Sequence, residues 1–239
     1  MMKKTYLIML LVLLIFYSCK KEDKKTEITG MAYIPPGQFY MGSRGSVEKH
    51  GVDEGDGKVG LEVGVDEVPR HTVSLKGFYI DKYEVTMAQY KKFVDATAHK
   101  IPDNPKHDYD PYIWENGTYP PEMDNVPVVL VYYDDAVAYC KWAGKRLPTE
   151  EEWEKSCRGV DGKKWSWGNI LDASKANIRD LELKHSTTVG SFPSDISPYG
   201  IYDMAGNVRE WTSSWYQRYP GSTLERNLFG EQFKVVKGG

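Results

Sequence analysis

Two short polar phrases limit where this chain can be helical. Thr86 with Gln89, and Thr149 with Glu152, each set a hydroxyl three residues ahead of a side chain that can reach back to the backbone. That is the reciprocal capping box, which satisfies two N–H groups otherwise stranded at a helix start. After the first box Tyr90, Phe93 and Val94 recur at helical spacing, so a helix is expected over 87–97. The second box opens a helix expected to run to about Cys157, just before Gly159. Between them Asp134 or Asp135 is placed to cap a helix expected over 135–143, which Gly144 ends.

The rest reads as strands, turns and loops. Residues 31–41 suggest a strand, a Pro-Gly turn and a second strand, and His71–Ile80 alternates as one strand would. Ser43 to Asp66 is rich in Gly, Asp and Glu and is expected to be a solvated loop; its run Asp53, Glu54, Asp56 lacks EF-hand spacing. Residues 99–126 are rich in proline and read as an irregular excursion. After Gly159 mostly turns and short strands are expected. All seven tryptophans lie between Trp114 and Trp215, which places the expected aromatic core in that half.

The N-terminus reads as an export signal. Lys3 and Lys4 precede an apolar run from Tyr6 to Tyr17, then Ser18 and Cys19. Residues 1–18 are expected to be a signal peptide, too short to span a bilayer as a mature helix. A small residue directly before a cysteine resembles a bacterial lipobox, with Cys19 as the lipidated first residue. An ordinary secretory signal with a chance cysteine is the alternative. Residues 19–29, opening on the charged Lys20–Lys25, read as a tether. The expected location is therefore the bacterial cell envelope, lipid-anchored at the periplasmic face or the cell surface, with the membrane as a partner. With 31 basic against 34 acidic residues the net charge is −3, and nucleic acid is not an expected partner.

Several phrases then arrive in order: Ile34-Pro-Pro-Gly-Gln-Phe-Tyr-Met-Gly42, Glu67-Val-Pro-Arg-His71, Phe78-Tyr-Ile-Asp-Lys-Tyr-Glu-Val-Thr86, Arg146-Leu-Pro-Thr-Glu-Glu-Glu-Trp-Glu154, Trp167-Gly-Asn169 and Tyr199 to Thr212 with its Gly206-Asn-Val-Arg-Glu-Trp211. This series resembles the formylglycine-generating enzyme family, also called the sulfatase-modifying factor family, over about residues 30–239. The resemblance implies one α+β domain with little regular secondary structure, related to the C-type lectin fold. It implies an oxidase that converts a cysteine in a C-x-P-x-R segment of an unfolded sulfatase to formylglycine, using oxygen and copper. The family also contains iron-dependent sulfoxide synthases and lipoproteins with no established chemistry, so a non-enzymatic envelope scaffold, gliding-motility-like, and a calcium-dependent lectin-like module are the alternatives. Expected partners are a sulfatase-type peptide or an envelope protein.

The same resemblance implies site residues. The copper-binding cysteine pair is expected beyond Gly239, the C-terminal part of the domain being absent from this chain, so no catalytic cysteine is named within it. Cys140 and Cys157 match positions that in some members form disulfides to that segment; the residues alone leave open two buried thiols or a Cys140–Cys157 bridge. For calcium, a hard cation needs six to eight oxygens. Asp203 and Glu210 flank a Gly-Asn turn and are expected to give side-chain oxygens, with carbonyls from Gly206 and Val208. A second site is implied at Asn177 and Ile178, although the loop between Asp180 and Thr188 that would complete it looks short. His99 and His107 do not complete an iron pattern, and His71 reads as a structural strand residue. Arg146 is expected to pair with the glutamates that follow it. Arg209 stands where the family commonly has Trp, and Trp211 and Trp215 read as core.

Overall fold

The computed structural model describes residues 28–44, 66–102, 114–178 and 185–239. The expected signal peptide, Cys19, most of the tether, the Asp53–Asp56 run and His107 lie outside the described residues.

Among the described residues six strands and three helices follow one another as β1 (Met31–Ile34), β2 (Gly37–Met41), β3 (His71–Leu75), β4 (Phe78–Asp81), α1 (Met87–Thr97), α2 (Tyr133–Trp142), α3 (Glu150–Arg158), β5 (Arg209–Trp215) and β6 (Lys234–Gly238), with 3-10 turns at Pro121–Met123 and Ala173–Lys175. The strands form three antiparallel pairs, β1–β4, β2–β3 and β5–β6. This is the mixed α+β architecture that the resemblance implied.

The first four strands correct the sequence reading. β1 and β2 do not form a hairpin with each other; Ile34 pairs with Phe78 and Gly37 with Leu75, in one continuing register. The two pairs are thus one long ribbon, broken at Pro35-Pro36 on one side and at Lys76-Gly77 on the other. Proline cannot donate to the ladder, so the break falls there. The expected single strand over His71–Ile80 is accordingly two. Gly77 lets the bend pack closely, since a Cβ there would stand 2.5 Å from the Tyr33 hydroxyl oxygen and push that side chain aside. Alternation turns Ala32, Ile34, Phe39 and Met41 inward.

Both capping boxes form. Thr86 Oγ1 accepts from the Gln89 N–H at 3.3 Å and Gln89 Oε1 from the Thr86 N–H at 3.1 Å. Thr149 Oγ1 accepts from the Glu152 N–H at 3.2 Å and Glu152 Oε2 from the Thr149 N–H at 2.9 Å. The middle helix starts two residues earlier than expected. Asp135 is not its cap but sits one turn in, accepting from the Tyr132 N–H at 3.0 Å.

The core has three parts. One gathers Met87, Tyr90 and Phe93 of α1 with Tyr139 of α2 and Trp114, Tyr119 and Met123 of the excursion. A second sets Trp153 and Cys157 of α3 against Ala32, Ile34, Ile201 and Met204. The third joins Phe39 and Met41 to Tyr219. Aromatics from the first half therefore share the core with the tryptophan-rich half. Of the two residues read as core, Trp211 is half-buried and Trp215 is 37% exposed, covered on one face by the Lys234 ammonium 3.4 Å from its ring centre.

Candidate functional site: a buried acidic turn

The Gly206-Asn207 turn leads into β5 and draws together carboxylates from distant parts of the chain. Asp203 and Asn207 both take positive φ, 59° and 68°, a conformation that Asn and Asp tolerate better than other side chains. Gly206 is needed for a different reason: a Cβ there would lie 2.6 Å from the Asn177 carbonyl oxygen. Asn177 also accepts from the Asn207 N–H at 2.8 Å and donates its side-chain amide to Asn207 Oδ1 at 3.2 Å. The two expected cation sites are thus brought side by side, while the loop expected to complete the second lies partly outside the described residues.

Asn207 is the hub of the turn. Its amide donates to Glu84 Oε2 at 2.6 Å, and its Oδ1 accepts from the Thr187 N–H at 2.8 Å. Glu84 Oε1 accepts from the Val208 N–H at 3.2 Å. Asp203 Oδ2 accepts from the Gly190 N–H at 2.6 Å. Asp195 accepts from the Ser166 hydroxyl at 2.5 Å and from the Ala205 N–H at 3.0 Å. Glu210 Oε2 accepts from the Trp153 indole at 3.2 Å. Sequence reasoning missed Glu84, Asp195 and Asn207. The signal available was the Gly-Asn dipeptide, whose asparagine suits a positive φ and can serve as donor and acceptor at once.

The electrostatics follow from burial. Glu84, Asp195 and Asp203 are 8%, 1% and 2% exposed. Among the described residues no Lys, Arg or His forms an ion pair with any of the four carboxylates. Burial pushes Glu84 up to about 10, reinforced by the charges of Glu210 and Asp203 and opposed by its bonds from Asn207 and Val208. Burial lifts Glu210 to about 7 and Asp203 to about 6, and each feels its acidic neighbours. Asp195 is raised as well, by burial. A buried group of like charges holds protons in this way unless a cation joins it.

The donors here are oxygens, which suit a hard cation. Among the described residues no three acidic, histidine or cysteine side chains converge to hold a metal by themselves. A calcium ion at this turn would therefore need backbone carbonyls, as expected of Gly206 and Val208, beside the Asp203 and Glu210 oxygens. Its chemistry would be charge neutralisation that locks the turn.

Cys140 and Cys157 do not fit a copper site. Both are free thiols and pack in different core clusters, so the bridge between them is not formed. Cu(I) binds thiolates, and burial pushes both thiols up, Cys140 to about 11. Cys157 donates weakly to the Met204 carbonyl at 3.7 Å. His71 opens β3, with its Nδ1 donating to the Pro69 carbonyl at 3.0 Å, and His99 meets Asp135 at 2.9 Å. Arg146 grips Glu152 with both terminal nitrogens, at 2.6 and 2.7 Å. Burial works against the Glu152 charge, but that grip and the Thr149 N–H hold it below the usual range. Arg209 is exposed.

Comparison with known proteins agrees with this architecture. The sulfatase-modifying factor enzyme 1-like domain matches residues 17–239. Formylglycine-generating enzyme of Mus musculus is 36% identical over 233 residues, covering 79% of this chain and 59% of that protein. The chain thus spans about three fifths of that relative's length. The inactive C-alpha-formylglycine-generating enzyme 2 of Bos taurus is 30% identical, covering 80% of this chain and 72% of that protein. Among solved structures, PvdO from Pseudomonas aeruginosa superposes with a TM-score of 0.61 at 25% identity, covering 87% of this chain and 80% of that one.

Proposed function

Because this chain belongs to the sulfatase-modifying factor enzyme 1-like family, we propose that it is the calcium-braced body of an exported, lipid-anchored oxidase. The complete protein would convert a cysteine in a C-x-P-x-R segment to formylglycine with copper and oxygen. The observation that supports this reading is the buried acidic turn, built from the Tyr-Glu-Val-Thr and Gly-Asn-Val-x-Glu-Trp phrases that carry the family resemblance. The reading requires the oxidising cysteines to lie beyond Gly239, because Cys140 is part-buried and Cys157 buried in separate core clusters and burial pushes both thiols up. Cys19 would hold the protein at the envelope membrane.

The full-length, copper-loaded protein should generate an aldehyde in a C-x-P-x-R peptide, trapped with a hydrazide and located by mass spectrometry. Aldehyde absent from the copper-loaded protein, with calcium also present, would remove the oxidase reading. The calcium element has its own readout. Saturation at about a hundred times the dissociation constant should add about 2.7 kcal/mol, or roughly 5–10 °C in Tm. Chelator should reverse the gain, and Asp203→Asn combined with Glu210→Gln should abolish it. Equal melting with calcium and with chelator would remove calcium from the turn.

A second reading is favoured by the similarity to the inactive C-alpha-formylglycine-generating enzyme 2 of Bos taurus. In it the domain is a non-enzymatic envelope scaffold or a lectin-like module. A peptide left unoxidised, together with calcium-dependent retention on a glycan panel or crosslinking to an envelope protein, is the result expected of it.

A further inference from the structure

On the β2–β3 ribbon, away from the acidic turn, lies an open pocket of about 300 Å³ lined by Tyr40, Arg44, Arg70, His71 and Thr72. Its chemistry is the reverse of the turn's. Among the described residues no carboxylate lines it and neither arginine forms an ion pair.

The ribbon builds the pocket. Tyr40 and Thr72 are paired across the strands and so share a face, the one opposite buried Phe39 and Met41. Arg70 precedes β3 and is held in place twice. Its guanidinium carbon lies 3.9 Å from the centre of the Tyr40 ring, and Nη2 donates to the Asp161 carbonyl at 3.1 Å. Stacking and one hydrogen bond orient the fork in advance of any ligand. The Arg70 Nε is buried with no hydrogen-bond partner and is out of a ligand's reach, so the donors Arg70 keeps for a ligand are the terminal N–H groups not spent on Asp161. Arg44 adds a second fixed charge. His71 spends Nδ1 on the Pro69 carbonyl; since a carbonyl only accepts, Nδ1 carries the hydrogen, and Nε2 of the neutral ring is an acceptor that gives an oxyanion no donor.

We propose that this pocket binds a tetrahedral oxyanion, the sulfate or phosphate group of an ester. Guanidinium forks match such oxygens, and the Tyr40 and Thr72 hydroxyls can add donors from other directions. A planar carboxylate would use fewer of them. The volume exceeds what a free inorganic ion needs and leaves room for the group the oxyanion is attached to.

The test is calorimetric titration of the whole chain, in buffer free of sulfate and phosphate, with inorganic sulfate, inorganic phosphate, phenyl sulfate and phenyl phosphate as probes. One saturable site per chain is expected. Loss of one charge-assisted contact should weaken it about tenfold or more in Arg70→Lys and in Arg44→Gln. Arg44 is exposed, so Arg44→Gln should melt like the wild type and keeps the test sound if Arg70→Lys folds poorly. Tighter binding of one ester would identify which of the two the pocket takes. The binding should persist in chelator and without copper, which separates it from the calcium and oxidase readings. A non-saturable response, or equal affinity in Arg44→Gln and the wild type, would overturn the proposal.

Discussion

Replacing Glu154 with alanine should cost about 3–5 kcal/mol, the range for removing one partner of a buried ion pair. Glu154 is 1% exposed. Its Oε1 accepts from the Gly42 N–H at 2.7 Å and is paired with Arg158. Its Oε2 faces the Lys237 ammonium at 3.4 Å. Lys237 also meets Glu67 at 2.6 Å and Glu150 at 3.6 Å, and Glu150 accepts from the Tyr219 hydroxyl at 2.7 Å. The carboxylate thus ties α3 to β6 and to the end of β2. Alanine would leave two cations and an N–H group with a missing partner. Glu154→Gln keeps the volume and an acceptor for Gly42 and should lose less. Urea unfolding at neutral pH, with unchanged m, would measure both. A loss below about 1 kcal/mol in Glu154→Ala would mean that the network behaves like a surface pair.

The second large effect concerns thiol chemistry. Burial, followed by the charge of Asp81, pushes Cys140 up to about 11 from an ordinary 9.0, and the Lys145 charge only partly opposes this. At pH 8 the thiolate population then falls steeply, and iodoacetamide alkylation of the folded chain should slow by about tenfold, the greater nucleophilicity of the more basic thiolate offsetting part of the loss. Cys157 is 4% exposed, so its labelling should wait for unfolding and follow the population of the open chain. Labelling in denaturant separates the remaining readings. Free thiols should regain ordinary rates there, whereas cysteines bridged to another segment should stay blocked until reductant is added. Rapid alkylation of either cysteine in the folded chain at pH 8 would contradict the structure and reopen the case for reactive thiols.

What could be read in advance followed the range of the interactions involved. Both capping boxes join atoms three residues apart, and both helices began where they were expected. Asp135 was misjudged as a cap because the competing start at Tyr132 is an aromatic residue, not a preferred N-cap. Strand pairing was less legible. The alternation over His71–Ile80 is genuine on either side of Gly77, but the break answers to Pro35-Pro36 on the partner strand, some forty residues away. The acidic turn was seen only in part. Asp203, Gly206, Val208 and Glu210 are neighbours in sequence, whereas Glu84 reaches Asn207 across 123 positions.

By itself the sequence determined the starts of the two helices that open on capping boxes, the Gly-Asn turn between Asp203 and Glu210, and the ordered phrases of the family. Each depends on backbone geometry or on bonds within a few residues, which a short stretch of chain specifies alone. Only the tertiary structure decided which carboxylates share one buried volume, that Cys140 and Cys157 lie in separate core clusters, and that Arg70 is stacked on Tyr40 and held by the Asp161 carbonyl. Those properties come from desolvation and from charges brought together across the fold, and neither exists until distant segments exclude water from one another.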